Sequence, residues 1–392
     1  MREVAVIGIG MHPWGKFAEK TFLDLGADAA VKALKDAGVE WKDIQAVVSG
    51  VYKWGAESGM VSGQSLSTFM GETGIPITNI YNMCATATSV FHTACLSVAS
   101  GEADLVLALG LDMSPKGFYP TTGDDPTDPA YLRFPMVGLT NPAYWALDCR
   151  QRMTEYGTTE LHLAKAKVVA SKHGALNPNA RYKKAFTIEE VLNSAMVVDP
   201  LRLYMICATS DGAAAVVLCG LDVARRYTTN PVIVAGVGLG SSIYGDPSSR
   251  LCLLSYPAKA EGPRLSESFA SSRMAYKQAG MTPEDIDFVE LPDNSSWHYL
   301  EYLELLGLAG PGEADRLLDE DETLIGGKIP VCPSGGVASF GESLSAQGLA
   351  QVCELVWQLR DEAGARQVEG AKVGLAQTYG AEGNSGTVIL KR

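Results

Sequence analysis

Residues 82–114 read NMCATATSVFHTACLSVASGEADLVLALGLDMS, and the change of rhythm inside this stretch decides the fold class. An Ala/Ser/Thr-rich run over 84–100 predicts a helix that stops at Gly101. The run LVLAL at 105–109 is apolar without alternation, as a strand covered by helices on both faces requires. Upstream, IPITNI at 75–80 predicts another strand, so the order is strand, turn, helix, strand. The same apolar texture recurs at 213–218 (AAAVVL), 232–237 (VIVAGV), 288–291 (FVEL) and 373–376 (VGLA). A helix is predicted over 343–359, where Leu344, Gly348, Val352, Leu355 and Leu359 share one stripe. The fold class is α/β.

An internal echo organises the chain. Lys35-Asp36-Ala37-Gly38, then Asp43-Ile44 and a run to Val47, resembles Lys277-Gln278-Ala279-Gly280, then Asp285-Ile286 and a run to Val289, at a constant offset of 242 residues. Both copies read helix, Gly stop, turn, buried strand. A solenoid repeat has a period of about 20 to 50 residues, so two duplicated halves are expected instead.

Length and charge narrow the function. With 392 residues the chain has room for two or three domains, and 46% hydrophobic with 20% charged residues is ordinary globular composition. No apolar run reaches the roughly 18 residues of a membrane span. Lys+Arg 32 against Asp+Glu 45 leaves −13, which opposes general binding to nucleic acid or an anionic membrane. The opening MREVAVIGIGMHPWG lacks the basic lead and cleavage pattern of a signal peptide, so a cytoplasmic protein is expected. Cysteines at 84, 95, 149, 207, 219, 252, 332 and 353 are too dispersed for a CxxC-type zinc site or a disulfide scaffold, and no metal is expected in this chain. Between 113 and 200 the pattern changes to loops and irregular helical pieces. From Arg150 to Ile188 eight Lys/Arg, among them Lys165 and Lys183, face two acids, Glu155 and Glu160. Such a segment is either a solvated helical face or a clamp for a phosphorylated ligand. The glycines of Ser334-Gly335-Gly336 bring backbone close to a ligand or a neighbouring strand, whereas GVGLGSS at 236–242 lacks dinucleotide spacing.

The sharpest chemical feature is Cys84, placed where a strand hands over to a helix. A helix N-terminus favours thiolate over thiol, and Ala85, Thr86 and Ala87 let backbone and ligand approach closely. The alternative reading is a buried structural cysteine, since free Cys is among the most buried residue types.

These segments resemble the thiolase family. NMCATATSVFHTACLSVASGEADLVLALGLDMS is similar to its nucleophile region, and VVDPLRLYMICATSDGAAAVVL at 197–218 to the strand that returns after its loop domain. GGKIPVCPSGGVASFGESLSAQGLAQVCELVWQLR at 326–360 is similar to its second catalytic block, and KHGALNPNA at 172–180 points to the sterol-carrier-protein-type branch. The resemblance spans nearly the whole chain. It implies duplicated βαβαβαββ halves in a five-layered α/β/α/β/α body, with 1–115 and 190–228 as the N-terminal half, 116–189 as an inserted loop domain and 229–392 as the C-terminal half. It also implies a homodimer core and acyl-coenzyme A chemistry, with coenzyme A as co-substrate and Cys84 as the acylated nucleophile. Lys165, Lys183, Ser334 and Gly335 are the expected coenzyme A contacts.

The departures matter equally. Where the family carries an activating histidine in a GHPLG-like string, this chain has Gly341-Glu342-Ser343-Leu344-Ser345. Pro292-Asp293-Asn294-Ser295 replaces an HDCF-like or NEAF-like string, leaving Asn294 to donate to an oxyanion or to cap a loop. The acid/base cysteine of a CxGGG string is missing from Gln377-Thr378-Tyr379-Gly380-Ala381-Glu382-Gly383, although Gly380 keeps the place of the backbone donor that joins the Cys84 N–H around the acyl oxygen. With reference values of about 8.5 for a thiol and 4.3 for a carboxyl, moving the proton from Cys84 to Glu342 is uphill by roughly 4 pK units, about 6 kcal/mol. Burial would raise the carboxyl, a helix N-terminus at Ser343 would lower it, and a bare helix-capping role is the alternative. His92, His298 and Tyr379 are weaker candidates whose alternatives are core or surface packing.

The expected reaction is thiolytic carbon–carbon cleavage of a β-oxoacyl-CoA through an acyl-Cys84 thioester. Likeness to the benzoylsuccinyl-CoA-cleaving type, from anaerobic aromatic degradation, would make the products benzoyl-CoA and succinyl-CoA. The alternatives are a thiolase-fold aldolase of the steroid side-chain type, in which Glu342 or Tyr379 acts and Cys84 is a spectator, and a non-catalytic acyl-CoA-binding subunit. Relatives of both enzyme types imply a small zinc-ribbon/OB-fold partner of the DUF35 type, giving a heterotetramer.

Overall fold

The architecture comes from a computed structural model that describes residues 2–115, 127, 140–243, 266–380 and 383–392. Much of the expected loop domain's first part, Cys252, and Ala381 and Glu382 lie outside the described residues. The strands that matter are β1 (Val4–Gly15), β2 (Ala46–Gly50), β3 (Ile77–Ile80), β4 (Leu105–Met113), β5 (Asp211–Gly220), β6 (Val232–Ser241), β7 (Phe288–Glu290), β8 (Val373–Gly380) and β9 (Asn384–Lys391). The helices are α1 (Phe22–Ala37), α2 (Ser62–Met70), α3 (Thr86–Ser100), α4 (Asn141–Tyr156), α5 (Glu160–Ala175), α6 (Glu267–Ala279), α7 (Ser296–Leu305) and α8 (Gln347–Leu359). The strands form one sheet in the order β3-β2-β4-β5-β1-β6-β9-β8-β7.

Strand periodicity explains the layering. Leu105, Leu107, Leu109 and Leu111 of β4 pack with Leu25 and Ala29 of α1 and Leu66 of α2. Val106 and Ala108, on the opposite face, pack with Ala87, Val90 and Phe91 of α3. That inner cluster continues through Leu349, Val352 and Val356 of α8 to Val237, Phe288, Ala376 and Val388 on the second group of strands. The far face of those strands, through Val289, Leu375 and Ile389, packs with α5, α6 and α7. Thus α3 and α8 form a central helical layer between two sheet regions, each covered outside by further helices. This is the five-layered arrangement. The two regions join where β1 meets β6 through Ala5↔Ile233 and Val6↔Val232.

The echo is a structural duplication. Helix α1 stops at Gly38 (φ 67) and α6 at Gly280 (φ 65), each donating its N–H back into the last turn. A 3₁₀ turn follows at Trp41–Asp43 and Pro283–Asp285, and then β2 and β7. Val47 N–H donates to the Pro76 carbonyl, and Val289 N–H to the Pro330 carbonyl, both at 3.0 Å. Ile75-Pro76-Ile77 and Ile329-Pro330-Val331 are therefore the same parallel partner in each half.

One element differs from expectation. The second central helix begins at Gln347, not at 343. The N–H groups of Leu344 and Ser345 face the buried carboxylate of Asp112 and favour its charged form. Ser345 packs against β2 and β4, where a Cβ at Gly110 would sit 2.2 Å from the Ser345 carbonyl oxygen.

Candidate active site

Cys84 sits on a turn between β3 and α3, two residues before the first helical residue and not on it. Met83 adopts φ 47, a left-handed conformation that costs a side-chain-bearing residue energy unless its surroundings enforce it. Thr86 supplies that enforcement. Its Oγ1 accepts from Asn82 N–H at 2.7 Å and donates to the Met83 carbonyl at 2.6 Å, while Ala85 N–H closes on the Asn82 carbonyl at 3.0 Å. Gln347 Nε2 donates to the Cys84 carbonyl at 3.2 Å, tying the turn to the second half. The small residues after Cys84 therefore permit a tight turn buried between the two halves.

Glu342 arrives from the other half. Gly341 has φ 82, and a Cβ there would lie 2.3 Å from Ser210 Oγ, so the approach requires glycine. Glu342 N–H donates to the Ala208 carbonyl at 2.6 Å, and Ser210 N–H to the Glu342 carbonyl at 2.8 Å. This two-bond clamp aims the carboxylate. The Cys84 thiol donates to Oε1 at 2.9 Å, and the Cys207 thiol lies 4.0 Å from Oε2. Burial pushes the Glu342 carboxyl up to about 6, with hydrogen bonds from Cys84 and Asn294 pulling the other way. A rise from 4.5 to about 6 removes about 2 kcal/mol from the cost of taking a thiol proton. The helix-cap reading of Glu342 is corrected: α8 starts five residues later, and the side chain points to two thiols instead.

Asn294 and Gly380 join the same cluster. Asn294 is 2% exposed, accepts Cys207 N–H on its carbonyl at 2.8 Å and points Nδ2 at Cys207 Sγ, 3.9 Å away. A Cβ on Gly380 would lie 3.1 Å from Ala85 N and 2.1 Å from Asn384 Oδ1, so backbone without a side chain closes over the nucleophile turn. His298 is buried, hydrogen-bonded to Ser295 Oγ at 2.8 Å, and pushed down to about 3 by burial, which keeps it neutral. Burial also lowers His92.

The expected coenzyme A contacts do not gather at one place. Lys165 pairs with Asp319 at 2.6 Å, and Lys183 is exposed. Ser334 donates its N–H and hydroxyl to Glu290 at 2.9 and 2.7 Å, and Gly335 (φ 100) abuts Gly174. His173 faces the Val331 and Cys332 carbonyls at 3.1 Å, and Asn177 Nδ2 donates to the Ser334 carbonyl at 3.0 Å. KHGALNPNA and GGKIPVCPSGG are thus two sides of one packing contact.

A cavity of about 460 Å³ opens beside Cys207 and is lined by Ala208, Lys16, Lys167, Arg181 and Phe186, among others. Lys167 Nζ donates to the Ala338 carbonyl at 2.7 Å, and burial pushes it down to about 8 against the pull of Asp293. Arg181 donates to Ser210 Oγ at 3.2 Å. In the basic segment, Arg150, Arg152, Lys165 and Lys184 are neutralised by acids, while Lys167 and Arg181 face the cavity. Sequence reasoning missed Cys207, and it counted Lys167 and Arg181 in the basic segment without separating them from their neighbours. Helical phase was the available signal for Lys167, since residues two apart face opposite sides. Among the described residues, no group of three or more His, Cys, Asp or Glu could hold a metal ion, and no helix is long and apolar enough to cross a membrane.

Known proteins share this architecture and sequence. Residues 4–125 match the family "Thiolase, N-terminal domain" and residues 259–392 the family "Thiolase C-terminal domain-like". The chain is 36% identical to the acetyl-CoA acetyltransferase of Methanothermobacter thermautotrophicus, covering 100% of this chain and 99% of that protein. It is 32% identical to bovine (Bos taurus) sterol carrier protein 2, over 97% of this chain and 70% of that one. It is also 32% identical to benzoylsuccinyl-CoA thiolase subunit BbsB of Thauera aromatica, over 94% and 92%. Among solved structures, an "Ltp2-ChsH2(DUF35) aldolase" superposes with a TM-score of 0.84 at 27% identity, covering 99% of this chain and 97% of that one. The chain belongs to the thiolase family. Within it, the relatives place the chain on the sterol-carrier-protein-type branch, as an acyltransferase of the thiolase type.

Proposed function

We propose that the chain cleaves a β-oxoacyl-CoA by thiolysis, with Cys84 as nucleophile and Glu342 as its base. The single observation that carries this reading is the 2.9 Å contact from the Cys84 thiol to a buried carboxylate lifted to about 6. Glu342 takes the thiol proton, and the thiolate attacks the β-keto carbon. The bond between the α and β carbons breaks with its electrons on the α carbon, which is protonated as the shorter thioester departs. Coenzyme A, deprotonated in its turn, then takes the acyl group from sulfur and restores the thiolate. Backbone donors at Cys84 and Gly380 hold the acyl oxygen, and Asn294 orients the far side of Glu342. The cavity beside Cys207, with Lys167 and Arg181 on its walls, receives the coenzyme A thioester.

Likeness to the Thauera aromatica subunit makes 2-benzoylsuccinyl-CoA the substrate to test first, with benzoyl-CoA and succinyl-CoA as products. A homodimer core built from the halves 1–115 with 190–228 and 229–392, the insertion 116–189, and a DUF35-type partner belong to the same reading. The partner is supported by the aldolase neighbour, an assembly with a DUF35 protein, and by the Thauera aromatica relative, itself a subunit.

The test is intact-protein mass spectrometry after mixing with acetoacetyl-CoA or 2-benzoylsuccinyl-CoA. An acyl adduct on the peptide containing Cys84, lost in Cys84→Ala together with turnover, is the expected result. The aldolase likeness favours one alternative, retro-aldol cleavage of a β-hydroxyacyl-CoA. Cleavage that consumes no coenzyme A and survives Cys84→Ala would establish it.

A further inference from the structure

The site holds a second thiol that the reaction has not yet used. Cys207 lies on the floor of the 460 Å³ cavity and also faces Glu342. The two oxygens of one carboxylate are divided between two sulfurs, Oε1 at 2.9 Å from Cys84 and Oε2 at 4.0 Å from Cys207. Asn294 fixes the second sulfur from both sides, through its carbonyl on Cys207 N–H at 2.8 Å and its Nδ2 at 3.9 Å from Sγ. Asn294 Oδ1 is buried without a hydrogen-bond partner. The clamp that aims Glu342 is made by Ala208 and Ser210, the near neighbours of Cys207, so carboxylate and second thiol move as one unit.

We infer that Cys207 is the carbon acid of this active site: it protonates the α carbon released by cleavage and is reprotonated by Glu342. The inference deepens the thiolysis reading and rests on it. The proton account closes. Cys84 S–H gives its proton to Glu342 Oε1, and the thiolate forms the C–S bond as the bond between the α and β carbons breaks. Cys207 S–H gives its proton to the α carbon, and the Cys207 thiolate takes the proton that Glu342 carries. Glu342 returns to the carboxylate, ready for the incoming coenzyme A thiol. Burial and the neighbouring Glu342 and Asp293 charges push the Cys207 thiol well above its ordinary range, which keeps it protonated between turnovers. The contact is long for a resting hydrogen bond, as contacts that tighten only with substrate bound often are.

Two half-reactions separate this role from a structural one. Exchange of labelled coenzyme A into benzoyl-CoA or acetyl-CoA requires Cys84 and Glu342 but no carbon protonation. Incorporation of solvent deuterium into the α carbon of product succinyl-CoA or acetyl-CoA requires the carbon acid. In Cys207→Ala and Cys207→Ser, deuterium incorporation and carbon–carbon cleavage are expected to fall by about 10²-fold or more relative to coenzyme A exchange in the same variant. Loss of both activities in parallel would reduce Cys207 to a packing residue and overturn the inference, as would deuterium incorporation retained in Cys207→Ala. Wild-type turnover with no acyl adduct on Cys84 would instead refute the thiolysis reading itself.

Discussion

Replacing Glu342 by Gln keeps the shape of the side chain and removes its basicity, and the consequences for rate and stability have opposite signs. A positioned general base contributes about 10² to 10⁴ in rate, so Glu342→Gln is expected to lose that factor in thiolysis. Stability moves the other way. Burial raises the carboxyl from 4.5 to about 6, so the folded chain binds a proton more readily than the unfolded one. The resulting stabilisation is fully present below about 4.5 and is lost as pH rises through about 6, leaving a charge at pH 8 that costs about 2 kcal/mol. Gln carries no such cost. For a chain of 392 residues, 2 kcal/mol corresponds to about 2 °C in Tm if unfolding is two-state. The advantage shrinks to less than half of that at pH 5, because there the folded wild type is mostly protonated. Paired thermal melts at pH 5 and pH 8, with initial rates of coenzyme A-dependent cleavage at pH 8, measure both quantities. A variant that keeps more than a tenth of the wild-type rate, or whose Tm advantage does not depend on pH, would refute the assignment of Glu342 as a buried base. In the wild type, cleavage should decline as pH falls through about 6, where the base becomes protonated.

Gly341→Ala would force a Cβ to within 2.3 Å of Ser210 Oγ at a backbone φ of 82, displacing the clamped Glu342. A drop of about 10² in kcat with an unchanged circular dichroism spectrum is expected, and an unchanged kcat would contradict the clamp. Arg366 donates Nε to both oxygens of Glu354 at 2.9 and 3.0 Å, with Glu354 1% exposed. Arg366→Ala leaves that carboxylate buried and unpaired, and denaturant unfolding should show a loss of about 3–5 kcal/mol. Phe91→Ala, in the central helical layer, should cost about 3–5 kcal/mol in the same measurement, since its side chain is 0% exposed.

The fold was legible because burial leaves a direct trace in composition. The unbroken LVLAL run has no alternation because α1 and α2 cover one face and α3 the other, and the Gly38/Gly280 echo marks equivalent helix ends. Cys84 was legible for a local reason, since strand, turn and small-residue helix follow one another within the sequence. Glu342 was legible as a position but not as a base: its lift depends on burial, and its aim depends on Ala208 and Ser210, more than a hundred residues away. Cys207 left no local sign, because one thiol among eight carries no spacing that separates it from the rest. The helix predicted from 343 starts late, where Leu344 and Ser345 face Asp112 of the other half, a long-range placement that a helical stripe cannot anticipate.

The duplication also assigns unequal tasks to equivalent places. Cys84 stands two residues ahead of α3, and the residue two ahead of α8 is Ser345. In the proposed reaction the first supplies the nucleophile. The other became a rivet: Ser345 Oγ donates to the Val51 carbonyl, and its own carbonyl presses on Gly110 of the opposite half. In this chain one of these turns ties the halves together, while the other meets a carboxylate from the opposite half in a body built twice over.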